Sequence, residues 1–199
     1  MVRIAVFCSG SGSNFEAIAG AAKAGRLGAA IALMVCDRPE AFAVQRARRL
    51  GVPYAVLPAR LFPSRSSYEK LLIGILKRER VDLVALAGWM RILSPVFIRA
   101  FRGRILNIHP SCLPAFKGAH AIRDAFQARV PATGVTVHVV TADVDGGPVL
   151  AQTKVRIGRK DTLKSLETKI HRVEHRLYPS AIRRFIQKRK GPKNAEGKR

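Results

Sequence analysis

VRIAVFCSGSGSN, residues 2–14, is the stretch from which the architecture is read. VRIAVFC (2–8) is a nearly continuous apolar run, the pattern of a strand covered on both faces. SGSGSN (9–14) follows, and Ala-rich helical composition continues from Asn14 to Lys23. A strand, a glycine-rich loop and a helix in that order gather backbone N–H groups at a helix N-terminus, where an anion is held. No Lys follows the glycines, so the loop is not a Walker motif. Gly10 and Gly12 fit a GxGxxG pattern, but the third position is Phe15. A single phosphate on Gly12, Ser13 and Asn14 fits better than a dinucleotide, and a tight turn without a ligand is the plainer alternative.

Moving outward, the same alternation repeats. IALMVC (31–36), YAVL (54–57) and DLVALA (82–87) read as strands. Helical patterns lie at 14–23, 40–50 (stopped by Gly51) and about 66–80. This order predicts a parallel, doubly wound sheet over residues 1 to about 100. The second half changes character. RILNIH (104–109) is a strand and 119–129 a helix, while TGVTVHVVT (133–141) and VLAQTKVRI (149–157) alternate and pair like a hairpin across DGGP (145–148). A long amphipathic helix is expected over 162–188, interrupted near Pro179. The predicted class is α/β: a Rossmann-like doubly wound mixed sheet, mostly parallel with an antiparallel edge.

The 199 residues suffice for one sizeable domain, expected over 1–188 with halves at 1–100 and 101–188. No apolar run approaches the roughly 18 residues of a membrane span, and residues 1–14 lack the apolar core of a signal peptide. Cys8, Cys36 and Cys112 are odd in number and widely spaced, which suits reduced thiols in the cytoplasm. The net charge of +23 points to anionic partners without naming them. Residues 156–199 hold 15 Lys and Arg against 4 Asp and Glu. The stretch 189–199 reads as a basic, disordered tail, and nucleic acid enters only as a partner of that tail. Monomer and homodimer both stay open.

NIHPSCLP (107–114) carries the chemistry. Side chains two apart on a strand share a face, so the Asn107 amide and the His109 imidazole point at one spot. The C-terminal ends of strands in an open α/β sheet are where ligands sit. An amide beside an imidazolium makes a clamp for an oxyanion, and Asp145 in VDGGP is the best carboxylate to set the charge of His109. A rigid loop is the bland alternative for NxHP.

The set SGSGSN (9–14), GWMRILS (88–94), NIHPSCLPAFKG (107–118) and VDGGP (144–148) resembles the glycinamide ribonucleotide formyltransferases of purine synthesis, over residues 1 to about 186. NxHPS, LP and the later DGG belong to the wider group of 10-formyltetrahydrofolate hydrolases and transferases. The GSN loop and HRVEHRLYP (171–179) select the glycinamide ribonucleotide member. The resemblance implies the formyltransferase fold, and formyl transfer from 10-formyltetrahydrofolate to the amine of glycinamide ribonucleotide, with no metal. It implies a catalytic trio of Asn107, His109 and Asp145, the last tuning His109 and relaying a proton. It places the ribonucleotide on Gly12, Ser13 and Asn14, with His171 and Glu174 at the ribose. It places the folate along Met90, Arg91, Ile92 and Leu93 and beside Asn107. The loop Thr141, Ala142, Asp143, Val144 and Asp145 would close over the pterin, with Arg65 at its outer or formyl-bearing side. Cys112 stands where Leu is common in the family, His171 where a neutral polar residue occurs, and Lys117 and Ile122 alter the loop after the catalytic strand.

Other classes leave their own marks. HRVEH (171–175) matches a zinc-peptidase HxxEH pattern, but the only later carboxylate is Glu196. Cys112 lies three residues after His109, which allows a Cys–His hydrolase, although a small buried hydrophobe is the simpler role. Methionyl-tRNA formyltransferases share the catalytic motif but add a tRNA-holding domain, for which 199 residues leave no room. Formyltetrahydrofolate deformylases use water as acceptor and carry an N-terminal regulatory domain, whereas here the first strand begins at residue 2.

Overall fold

The strand read at residues 2–8 is β1 (Val2–Cys8), and its side chains alternate between two separate cores. Ile4, Val6 and Cys8 enter one, and Ala5 and Phe7 the other. β2 (Ala29–Cys36) and β4 (Leu83–Leu86) divide in the same way. Burial on both faces is why these runs show no polar alternation. This computed structural model describes residues 1–190. From residue 191 the expected basic tail lies outside the described residues.

Seven strands form one sheet in the order β3-β2-β1-β4-β5-β6-β7, with β3 at Tyr54–Val56, β5 at Ile105–His109, β6 at Ala132–Val139 and β7 at Val149–Arg156. β1 to β5 run parallel, and β6 and β7 are antiparallel, as the sequence predicts. α1 (Ser13–Lys23), α2 (Phe42–Leu50) and α6 (Leu163–Lys190) cover the first core, and α3 (Arg65–Arg78) and α4 (Pro95–Ala100) the second. α5 (Ala121–Gln127) packs against α6 and β6.

Three details differ from expectation. α6 runs unbroken through Pro179. Its missing N–H forfeits one helical bond, but the flanking Tyr178 and Ile182 are fully buried. The Tyr178 hydroxyl lies 3.0 Å from the Leu86 carbonyl and 2.9 Å from that of Leu106, pinning the helix across β4 and β5. α4 is an element that apolar periodicity does not single out. Its start is marked by Ser94, whose Oγ accepts from the Phe97 N–H at 3.3 Å, and by Pro95 at the first helical position. β6 ends at Val139, so residues 140–148 form a nine-residue loop of which DGGP is only the tail.

Candidate active site

The C-terminal ends of β1, β4 and β5 adjoin along one edge of the sheet. From them leave the glycine loop, residues 88–94 and residues 110–118. β5 is two strands from β1, roughly 10 Å at the usual strand spacing.

On β5, Ile105 faces the second core and Asn107 and His109 share its side, so polar groups replace apolar ones toward the strand end. β6 pairs antiparallel, setting His138 opposite Asn107 and Thr136 opposite His109. Directly opposed residues project to the same face. His109 and His138 are 4% and 2% exposed, so this cluster is buried.

Asp145 joins it from the 140–148 loop. His109 Nδ1 stands 3.4 Å from Asp145 Oδ2, and His138 Nε2 stands 3.5 Å from Oδ1. The Asn107 amide nitrogen is 3.5 Å from Oδ1 and 3.2 Å from His138 Nε2. The Gly118 N–H donates to Oδ2 at 3.0 Å. Burial alone raises the Asp145 carboxyl. The contact with His138, the Gly118 N–H and the nearby His109 outweigh it and hold the group at about 2. His109 Nε2 lies 2.7 Å from the Phe116 carbonyl, which only accepts. Both ring nitrogens of His109 therefore face an oxygen acceptor.

Asp145 adopts φ 51, a left-handed conformation uncommon outside glycine. The second glycine after it is sterically required, since a Cβ on Gly147 would run into the Val139 carbonyl, whereas one on Gly146 meets only the exposed Asp143 carboxylate, which can turn aside. The segment after His109 is stitched to the antiparallel strands. Thr136 Oγ1 donates to the Ser111 carbonyl at 2.7 Å, and Gln152 Nε2 donates to the Leu113 carbonyl at 3.0 Å. A cis peptide bond precedes Pro114. Cys112 donates its thiol to the Thr133 carbonyl at 3.3 Å, and burial pushes its pKa up. Both features oppose a thiolate nucleophile.

The glycine loop faces a second polar group. Gly12 caps α1 with φ 72, and a Cβ there would meet Ala43 at 2.7 Å. Such an approach needs glycine. Asn14 Nδ2 donates to Glu174 Oε2 at 2.9 Å, and His171 Nδ1 lies 2.8 Å from the same oxygen. Thus Gly12, Ser13, Asn14, His171 and Glu174 come together although about 160 residues separate Asn14 from Glu174. Both histidines of HRVEH stack at 6.4 Å, but among the described residues no group of three His, Cys, Asp or Glu is placed to hold a metal.

Between these groups lies the segment after β4. Met90 and Ile92 are 62% and 67% exposed, Arg91 lies over the Tyr68 ring at 5.5 Å, and Leu93 turns into the second core. Arg65 donates to the Ile92 carbonyl at 2.6 Å. Thr141, Ala142, Asp143 and Val144 form the outer part of the 140–148 loop, with Asp143 3.8 Å from Lys117 Nζ.

Three participants are not singled out by the sequence. Arg46 donates from Nε to the Ser11 carbonyl at 2.9 Å. Glu69, on α3, gathers Arg65 and Ser94 behind residues 90–94. His138 joins them because the antiparallel β5–β6 register puts it opposite Asn107. A cavity lined by Val2, Asp82, Arg104 and Phe185 lies instead at the β1 and β4 N-terminal ends, away from this chemistry.

Residues 2–182 match the family model described as formyl transferase. The chain is 41% identical over 186 residues to phosphoribosylglycinamide formyltransferase of Bacillus subtilis (strain 168), covering 94% of this chain and 95% of that protein. It is 38% identical over 188 residues to the enzyme of that name from Escherichia coli (strain K12), covering 94% and 89%. The solved structure of phosphoribosylglycinamide formyltransferase from Bacillus halodurans superposes with a TM-score of 0.91 at 46% identity, covering 94% of this chain and 96% of that one.

Proposed function

This chain belongs to the formyl transferase family, and we propose that it moves the formyl group of 10-formyltetrahydrofolate onto the amine of 5-phosphoribosylglycinamide in purine biosynthesis. The observation that carries this reading is the convergence of Asn107, His109 and Asp145 beside a separate anion-suited group built on Gly12, Ser13, Asn14, His171 and Glu174. One centre suits a transferring carbonyl, and the other suits a phosphorylated acceptor.

The amine attacks the formyl carbon, a C–N bond forms, and the carbonyl oxygen takes up the electron pair. The Asn107 N–H facing Asp145 sits in the longer of its two contacts, at 3.5 Å. That is the N–H a ligand oxygen would take over, while the 3.2 Å contact to His138 orients the amide. Protonated His109 supplies the second donor from Nε2, where the ligand oxygen would take the place of the Phe116 carbonyl. Preorganised donors of this kind stabilise the oxyanion without rearranging during the reaction. The tetrahedral intermediate collapses as the bond to the folate nitrogen breaks. That nitrogen gains the proton lost by the amine, with Asp145 as relay. A carboxyl held at about 2 is ionised at neutral pH, so Asp145 faces His109 as an anion and passes the proton on rather than keeping it.

The phosphate lies on the backbone of Gly12, Ser13 and Asn14, where the α1 dipole adds to the free N–H groups. Glu174 and His171 meet the ribose. The exposed apolar side chains of Met90 and Ile92 with the loop Thr141–Asp145 wall the folate, and Arg91 and Arg65 stand at its rim.

The test is formyl transfer with and without the ribonucleotide, on wild type and Asp145→Asn. Turnover should require the ribonucleotide and fall by about 10²–10³ or more in the variant. Folate deformylation without the ribonucleotide would make water the acceptor and overturn the transferase reading.

A further inference from the structure

Glu69 is a buried carboxylate that the chemistry above does not use. It is 4% exposed and lies one turn into α3. Three donors converge on it. Arg65 Nε lies 3.2 Å from Oε1, the Ser94 N–H donates to Oε1 at 2.9 Å, and the Ser94 hydroxyl donates to Oε2. Arg65 in turn reaches the Ile92 carbonyl at 2.6 Å. At the other end of the segment, the Met90 N–H donates to Ser9 Oγ at 3.0 Å. The stretch 90–94 is thus fastened at its start by β1's exit loop, and at its middle and end by α3.

Burying a carboxylate costs desolvation, and an apolar side chain of similar size would serve packing as well or better. What the acid adds is geometry. Met90 and Ile92 stand exposed on a backbone tied down at the Met90 N–H, the Ile92 carbonyl and the Ser94 N–H. Exposed apolar side chains on a fixed backbone bind a flat ring without first losing conformational freedom. We propose that Glu69 is a positioning residue for the folate: by gathering Arg65 and Ser94 it holds residues 90–94 in the shape that receives the ring. This rests on the reading that 90–94 lines the folate site.

Steady-state kinetics on Glu69→Gln, varying 10-formyltetrahydrofolate and glycinamide ribonucleotide separately, test it. The amide keeps the shape but carries two hydrogens into a site that already holds donors. The KM for the folate should rise by about tenfold or more. The KM for the ribonucleotide should stay within about twofold, and kcat at saturating folate should change less than the folate KM. Ser94→Ala, which removes one donor, should give the same selective shift at smaller size, and it decides the matter if the Gln variant does not fold. Equal rises in both KM values, or a fall in kcat alone, would overturn the proposal. Absence of formyl transfer by the wild type would refute the folate reading itself, before any variant is compared.

Discussion

The amide nitrogen of Asn107 lies 3.2 Å from Nε2 of His138, directly across the antiparallel pair of β5 and β6. His138 Nδ1 faces the Val139 carbonyl at 3.1 Å. Nε2 faces both that amide and Asp145 Oδ1, at 3.5 Å, so the ring sets where the Asn107 amide and the Asp145 carboxylate sit.

Replacing His138 should therefore disturb catalysis through Asn107 rather than through binding. In His138→Gln, kcat should fall by about tenfold to a hundredfold while both KM values move little, since a donor misplaced by about 1 Å costs that much. His138 also helps to hold the Asp145 carboxyl at about 2. Losing that contact lets its pKa rise, so the acid-side loss of activity should begin at higher pH in the variant. A kcat profile from pH 3 upward with unchanged acid limb and unchanged height would reject the role.

His171 makes a second, pH-dependent link. Its Nδ1 bond to Glu174 raises the imidazole above its ordinary value against the opposing effect of burial, with the charges of Glu174 and Glu167 adding to the rise. The stacked His175 is lowered by burial and does not substitute for it. A raised folded pKa means stabilisation that is complete below the unfolded value of about 6.5 and is lost as pH rises through the folded one. Wild type should exceed His171→Gln in melting temperature at pH 6 and lose that advantage by about pH 9. The imidazolium also faces the proposed ribonucleotide site, so the KM for the ribonucleotide should climb with pH in wild type and stay flatter in His171→Gln. Parallel pH profiles for the two proteins would remove His171 from this role.

Much of the architecture is legible in the amino-acid sequence. Continuous apolar runs around SGSGSN indicate a doubly wound sheet because burial on two faces leaves no polar alternation. NIHP at a strand end indicates a polar pair on one face. What stays hidden depends on contacts distant in sequence. His138 becomes part of the cluster only once the β5–β6 register is fixed. Glu69 looks like one more charge on an amphipathic helix until Ser94, 25 residues away, closes on it. The helix break expected at Pro179 fails because a local rule is outweighed: the buried Tyr178 fastens α6 to two strands at once.

The DGG turn gives the last prediction, which separates glycine needed for space from glycine merely tolerated. A Cβ on Gly147 would enter the Val139 carbonyl, a backbone atom of β6 that cannot swing aside as a side chain can. Gly147→Ala must therefore push the 140–148 loop away from the sheet, and Asp145 moves with it. Only the ends of that loop are tied into the sheet, through Val140 on Ile105 and Pro148 on Val139, so circular dichroism should stay native while kcat drops by about tenfold or more. Gly20, exposed inside α1, is the control: nothing lies within 4 Å of a Cβ built there. Gly20→Ala should leave turnover unchanged and raise stability by up to about 1 kcal/mol, because alanine loses less backbone freedom in a helix. Measuring kcat and the denaturant midpoint for both variants checks the two halves together. Full activity in Gly147→Ala would mean that the loop accommodates the methyl without moving its carboxylate, and that the position of Asp145 is not set by the second glycine.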